Sequence, residues 1–278
     1  MPTMSHMPDS VPQPRFTDLH SHLVPAVDDG AATVGEALES LRTLAREGVG
    51  TVVTTPHLLL PRLDTMTSIR RELDRHRRGF DQLQMAAAGE DGLPQLGLGQ
   101  EIWAPRASLI RPILEHDGVG LGGTRFLLVE FGFDLEGTHA DVIAEVLEAD
   151  QQIVIAHPER YRFPAGLDPI ETIAAWREQG ALLQVNAGSL TGHYRDSSPG
   201  SEALAWRLIE TGLVDLLATD HHGSRRRGVS LRSAYDALAA AGRELQALAL
   251  LGTTPARIAD GTAVYSPVAD PSLSLSIR

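Results

Sequence analysis

Two short patterns near opposite ends of the chain place paired ligand-type side chains two residues apart: His20-x-His22 and Asp220-x-His222. In an extended segment such residues point the same way, so both members of a pair reach a common point. His57, Glu101, Glu130 and His157 lie between them, each at or just past an apolar or β-branched run, and an acidic pair, Asp28–Asp29, follows the first pattern. Neutral imidazole and carboxylate without sulfur suit Mn, Fe, Zn or Co. These eight groups with one of the acidic pair make nine, too many for one ion and suited to two or three with carboxylate bridges. A centre of that kind activates water and polarises an oxyanion, which is the chemistry of ester and phosphoester hydrolysis.

Distant residues can share a site only if the elements between them bring them together. Strand-like runs are read at residues 16–20, 51–55, 95–101, 127–131, 153–156, 182–186 and 216–219. Longer helical patterns alternate with them. Thr33 and Glu36 make a T-x-x-E capping box, with Val34, Ala37, Leu38, Leu41 and Leu44 on one face and Gly48 as a stop. An Arg-rich helix is expected over 67–85, and others over 139–149, 202–211, 231–241 and 244–251. Asp168 caps one more, with Pro169 in its first position, running to Gln179. Pro255 starts a short final helix. Seven strands mostly followed by helices predict an α/β fold with a parallel sheet under helices, and seven repeats in one run predict a closed or nearly closed barrel. In such a barrel the C-terminal strand ends converge on one face. In strand order those ends carry His20 and His22, His57, Glu101, Glu130, His157, Asn186, and Asp220 with His222, so six of the seven deliver imidazole or carboxylate. Any one of these is weak; their convergence is the strong observation.

Composition narrows the chemistry. The 278 residues contain no cysteine, which removes disulfides, thiolate metal sites and every cysteine-nucleophile mechanism. There is no lysine either, since all 24 counted basic residues are arginine, so a Schiff base, a P-loop lysine and a carbamylated-lysine bridge are excluded. The formal net charge of −12 argues against nucleic acid and anionic membrane as general partners. No apolar run approaches the roughly 20 residues of a membrane helix, and the start of the chain is polar and Pro-rich, unlike a signal peptide. The expected location is the cytoplasm, with 1–14 a disordered leader, 15–265 one catalytic domain and 266–278 a loose tail.

The segments DLHSHLVPAVDDG (18–30), TTPH (54–57), GQEI (99–102), LVEFGFD (128–134), AHPERY (156–161), QVNAGSL (184–190) and ATDHHG (218–223) carry a resemblance in order and spacing over residues 16–265. The chain resembles the polymerase-and-histidinol-phosphatase (PHP) metallohydrolases. Within them it is most similar to the manganese-dependent protein-tyrosine phosphatases of bacterial capsule and exopolysaccharide loci. The resemblance implies a distorted (β/α)7 TIM-like barrel of the PHP type with a trinuclear centre. Carried over residue by residue, it implies metal ligation by His20, His22, Asp29, His57, Glu101, Glu130, His157, Asp220 and His222, and phosphate binding by Arg160. Manganese is the metal it implies first, with Fe, Zn, Co or Mg as alternatives and two or three ions per chain. The implied substrate is a phosphotyrosine protein or peptide, such as the tail of a bacterial tyrosine autokinase; the oligomeric state stays open. His221 departs from the small residue usual inside D-x-H, and Leu58–Leu60 departs from a more polar loop.

Three divalent ions against four ligand carboxylates leave the site positive, so a phosphoryl dianion is drawn in despite the acidic chain. A hydroxide bridging the metals would attack phosphorus in line, with Arg160 on the equatorial oxygens. His222, when not metal-bound, is a candidate proton donor to the leaving oxygen. His193, with Tyr194, and Arg225 in the Arg225–Arg227 run are candidate substrate contacts. The plainer readings are that His193 and the arginine run are solvated, that Asp28 caps a turn, that Asp18 and Asn186 are structural, that His76, His116 and His139 are surface residues, and that Arg70, Arg71, Arg75, Arg77 and Arg78 form a solvated helix face. Three rival functions remain: a small-molecule PHP phosphatase such as a histidinol-phosphatase, an amidohydrolase, and a phosphopeptide-binding module without activity.

Overall fold

Pro56 has no N–H to donate into a ladder, and the second expected strand, 51–55, ends just before it. The computed structural model describes residues 15–223 and 229–264. The expected leader (1–14), the tail (266–278) and Arg225 lie outside those residues. Among the described residues there are nine strands: β1 (Phe16–Asp18), β2 (Val49–Thr54), β3 (His57–Leu59), β4 (Gln95–Leu98), β5 (Glu101–Trp103), β6 (Phe126–Glu130), β7 (Gln152–Ala156), β8 (Leu182–Asn186) and β9 (Leu216–Ala218). All pair in parallel, in two sheets of order β1-β2-β4 and β3-β5-β6-β7-β8-β9.

Where a closed or nearly closed seven-stranded barrel was expected, the strands form two parallel sheets, and no continuous ladder closes them among the described residues. The second expected strand, 51–55, is β2; β3, just past Pro56, is a further strand where Leu58–Leu60 was expected to be a loop; and the third expected strand becomes β4 and β5 on either side of Gly99–Gln100. Gly99 donates to Thr54 O at 2.9 Å, and a Cβ on it would meet Leu121 Cα at 3.0 Å, so the chain passes this close only without a side chain. Across the seam, isolated hydrogen bonds replace a ladder: Thr55 N to Ser21 O (2.7 Å), His22 N to His221 O (2.8 Å) and Asp220 N to His20 O (2.8 Å). They tie the segment after β1 to the flanks of both edge strands of the larger sheet.

The helices are α1 (Val34–Arg46), α2 (Met66–Ala87), α3 (Ala107–Ile110), α4 (Ala140–Glu148), α5 (Pro169–Glu178), α6 (Ser201–Glu210), α7 (Leu231–Ala240), α8 (Glu244–Leu248) and α9 (Thr254–Ala259). Their starts follow local chemistry. Asp168 accepts from Ile170 N and Glu171 N ahead of α5. Thr33 accepts from Glu36 N at 3.1 Å, but Glu36 reaches back to Ala32 N, so the expected capping box is half formed. Strand periodicity sorts the core. Phe126, Leu128, Val154, Leu182 and Leu216 pack into one apolar cluster closed by Ile258 of α9, while Leu127, Val129, Ile153, Ile155 and Leu183 pack with the helices. Continuing the first parity along β6 and β8 reaches Glu130, Gln184 and Asn186, so polar groups stand on the same side as the plug and beyond it.

Two histidines expected at the surface are buried. His76 shares the buried face of α2 with Ile69, Leu73, Phe80 and Leu83, and its Nδ1 meets Gln100 Oε1 at 2.7 Å. His139 stacks on Phe131 with ring centroids 4.6 Å apart. Burial lowers the pKa of both rings. His116 is half-buried. Of the helix arginines, Arg70, Arg71, Arg77 and Arg78 are exposed as expected, whereas Arg75 pairs with Glu72 and donates to Val27 O.

Candidate metal centre

The segment leaving β1 brings His20 and His22 to one point, their Nε2 atoms 3.3 Å apart. Each ring is turned by a partner on its other nitrogen. Gln184 Oε1 lies 3.0 Å from His20 Nδ1, and Asp28 Oδ2 lies 2.8 Å from His22 Nδ1. Asp28 also accepts from Gly30 N and His57 N, which folds its loop over His22. A Cβ on Gly30 would lie 2.0 Å from His22 O, so that fold requires glycine. His222 Nδ1 donates to Asp220 O at 2.8 Å, leaving its Nε2 free to bind. Outer partners of this kind fix the tautomer and aim of metal-binding imidazoles.

The other groups arrive from the strands. His57 and Glu101 are register partners in β3 and β5, with His57 Nδ1 2.6 Å from Glu101 Oε2. His157 and Asp220 follow β7 and β9 with φ of 35° and 53°, left-handed values rare outside glycine. Such strain concentrates at functional sites, and here it turns both side chains inward. His157 Nε2 lies 2.8 Å from Glu101 Oε1, and Asp220 Oδ1 lies 3.3 Å from His22 Nε2 and 3.5 Å from His20 Nε2. Asp29 Oδ1 stands 3.4 Å from His57 Nε2 and 3.5 Å from His222 Nε2.

Three overlapping groups result whose donor atoms lie within 4.8 Å of one another: His22, Asp29, His57 and His222; His20, His157 and Asp220; His20, His22 and Glu101. Eight of the nine expected residues are in them. Glu130 is not; it lines the same cavity, of about 210 Å³, from its wall.

The donor set fits divalent cations. Glu101, Glu130 and Asp220 are all buried, and buried carboxylates need compensating positive charge. Glu101 Oε2 and His57 Nδ1 face each other without forming a hydrogen bond, two orphaned atoms that a shared ion would satisfy. The cluster already draws positive charge onto its rings. Burial opposes charging His22, but Asp28 and Asp220 outweigh it and push its pKa up to about 10. Against the same opposition, Glu101 and Asp29 push His57 up to about 12. Burial is likewise outweighed at Glu101 and Asp220, which neighbouring imidazoles hold well below the carboxylate range. Glu130 goes the other way, raised to about 8 by burial and by the charge of Glu101.

Arg160 stands beside this cluster. Its Nη1 lies 2.9 Å from Asp220 Oδ2, its guanidinium carbon lies 4.2 Å from the Tyr194 ring and 4.9 Å from the Phe133 ring, and its buried Nε has no partner among the described residues. Asn186 bonds Asp220 Oδ2 and Tyr194 Oη, so it shapes the site as expected. Asp18, fully buried, accepts from Thr219 and is structural as expected; burial raises its pKa to about 6. Exposed His193 lines the cavity, as does buried His221.

Sequence reasoning left four contributors without a role. Gln184 orients His20 and also meets His157 N at 3.4 Å. Asp28, read as a turn cap, orients His22. Glu159, buried in the turn after His157, accepts from Asn186 N and Ser189 Oγ and so fixes the base of Arg160. Phe133 flanks Arg160. Polar Gln184 and Asn186 at alternate positions of an otherwise apolar strand were the available signal for the first; nothing local marked the other three.

The chain matches the family model described as capsular polysaccharide synthesis, CpsB/CapC, over residues 16–259. It is 31% identical over 222 residues to a protein of Bacillus subtilis (strain 168) named tyrosine-protein phosphatase YwqE, covering 78% of this chain and 81% of that one. It is 26% identical over 230 residues to tyrosine-protein phosphatase CpsB of Streptococcus pneumoniae, covering 80% and 89%. Among solved structures it superposes with a TM-score of 0.72 on one from a study of YwqE of B. subtilis and CpsB of S. pneumoniae, described there as metal-dependent tyrosine phosphatases. That match has 24% identity and covers 90% of this chain and 96% of the other.

Proposed function

The chain belongs to the CpsB/CapC family of capsular polysaccharide synthesis, and from that premise we propose that it is a metal-dependent protein-tyrosine phosphatase, a phosphoric monoester hydrolase. Its proposed substrate is a phosphotyrosine protein, the tail of a bacterial tyrosine autokinase that controls capsule or exopolysaccharide synthesis, met in the cytoplasm. The observation that carries the reading is the convergence of eight ligand-type side chains in three overlapping groups, six of them lining one cavity, with an arginine beside it whose Nε is unpartnered among the described residues. We read residues 15–265 as the phosphatase domain and the two sheets as a distorted (β/α)7 barrel of the PHP type, interrupted at Pro56 and Gly99.

Two or three divalent ions, manganese foremost, would be held by His20, His22, Asp29, His57, Glu101, Glu130, His157, Asp220 and His222. When bound they supply Lewis acidity toward phosphoryl oxygens and a water acidic enough to act near neutral pH. Asp28, Gln184 and the Asp220 carbonyl keep the Nε2 atoms of His22, His20 and His222 directed at that centre. Asp220 anchors one arm of the Arg160 fork, and the unpartnered Nε is left for a phosphoryl oxygen, a charge-assisted bond that strengthens as charge develops. His222, half-buried where it lines the cavity, is the proposed proton donor to the leaving oxygen when its Nε2 holds no ion. A tyrosyl leaving group, with a phenol pKa of about 10, asks little of such a donor. His193, which lines the cavity, and Arg225, which lies outside the described residues, are the proposed contacts to the rest of the substrate.

The test is an activity panel on metal-reconstituted protein with phosphotyrosine peptides, phosphoserine peptides and histidinol phosphate. The expected result is a clear preference for phosphotyrosine. Activity confined to histidinol phosphate would overturn the assignment in favour of a small-molecule phosphatase.

A further inference from the structure

Three large apolar side chains stand exposed among the described residues, Met85, Phe133 and Leu245. Met85 and Leu245 are on the helices α2 and α8, whereas Phe133 lines the cavity of the metal centre. An apolar ring held partly in water forgoes the gain of burial, so its position invites a reason. It is not a loose loop tip. Phe133 O accepts from Arg162 N at 2.6 Å, Leu135 N donates to Arg162 O at 3.2 Å, and Asp134 pairs with Arg162. The backbone on both sides of the ring is thereby pinned to the segment just beyond Arg160.

The ring lies nearly parallel to that of His157, at 18° and 5.8 Å between centroids, and 4.9 Å from the Arg160 guanidinium. It is 38% exposed, so it still has open surface. The other aromatic ring of the rim is committed. Tyr194 carries Arg160 on its face, has its hydroxyl bonded by Asn186, and is 9% exposed. Buried Val229 completes this side. The cavity thus has a floor of carboxylates and imidazoles and a partly apolar wall, and Phe133 is the wall residue with surface to offer. A phosphomonoester with its phosphoryl group on the floor beside Arg160 must carry its ester substituent past this wall.

We propose that Phe133 is a specificity-determining residue that receives the aromatic ring of the substrate, so that the site selects aryl over alkyl phosphomonoesters. This rests on the phosphatase reading above and names the part of the substrate recognised. An aryl substituent meets Phe133 in offset or edge contact and covers its open surface; a seryl or methyl substituent leaves that surface wet. Aromatic pairs contribute beyond simple burial, and the combined effect corresponds to roughly threefold to tenfold in affinity.

The experiment is calorimetric binding of benzylphosphonate and methylphosphonate to the metal-loaded full chain. Neither probe is turned over, and leaving-group chemistry drops out. In the wild-type protein benzylphosphonate should bind at least threefold more tightly. Phe133→Ala and Phe133→Leu should reduce the ratio of the two constants by about threefold or more, and Phe133→Tyr should preserve it. A general disturbance of Arg160 weakens both phosphonates alike and leaves the ratio unchanged. A ratio unaltered in Phe133→Ala overturns the subsite while leaving the phosphatase reading intact. A wild-type ratio near one overturns the subsite and counts against phosphotyrosine as the substrate, which the activity panel then decides separately.

Discussion

Arg160 and His157 stand three residues apart in one turn, yet the geometry assigns them different work. His157 Nε2 is 2.8 Å from Glu101 and belongs to a ligand-type group with His20 and Asp220. Among the ligand-type residues Arg160 pairs with the outer oxygen of Asp220, and a guanidinium cannot ligate a cation. Arg160→Ala should therefore lower the rate on a phosphotyrosine peptide by roughly a hundredfold, about 3 kcal/mol, with metal content unchanged. His157→Ala should lower both. Elemental analysis of the two purified variants beside their rates separates the roles; equal metal loss in both would refute the division. Adjacent Asp28 and Asp29 show what spacing alone leaves open. One turns in to orient His22 and the other reaches toward His57 and His222, and no property of an isolated D-D pair says which does which.

At the scale of elements, the order of helices and strands was legible because each has a local cause: β-branched runs, the Asp168-Pro169 start of α5, the Gly48 stop of α1. The ligand-type residues were legible for the same reason, since strand ends mark them. The interruption at Gly99 was also written in the chain, but counting repeats favoured one unbroken third strand, and β3 was missed because the short run after Pro56 reads as a loop. His76 was misjudged because an Arg-rich helix suggests solvation, although its spacing from Leu73 and Phe80 places it on the buried face. Pairings between distant elements had no local signature. Arg177 of α5 and Asp215 before β9 form a buried bidentate pair, at 2.8 and 3.2 Å, and Asp215 also accepts from Leu183 N in β8. Removing one partner strands the other charge in the interior. Arg177→Ala should cost about 3–5 kcal/mol of stability, measured by urea unfolding. A loss below about 1 kcal/mol would show that the pair does not tie α5 to the sheet.

For the whole molecule, the absence of cysteine and lysine leaves hydrolysis to histidine, carboxylate, arginine, hydroxyls and bound ions. The folded state gathers carboxylates and imidazoles that the unfolded chain scatters, so a cation that binds the native cluster stabilises it by mass action. Occupancy at a hundredfold excess over Kd contributes about 2.7 kcal/mol. Chelation should then lower Tm by roughly 5–10 °C for a chain of this size, and adding back divalent metal should restore it. A Tm indifferent to chelator would mean that the cluster holds no ion of consequence to the fold.

The most direct test of the account is the metal stoichiometry of the active protein. Full-length chain, desalted and assayed on a phosphotyrosine peptide, should contain two to three divalent transition-metal ions per chain by elemental analysis, with activity falling in step as they are removed. Full activity in protein free of bound metal would contradict it.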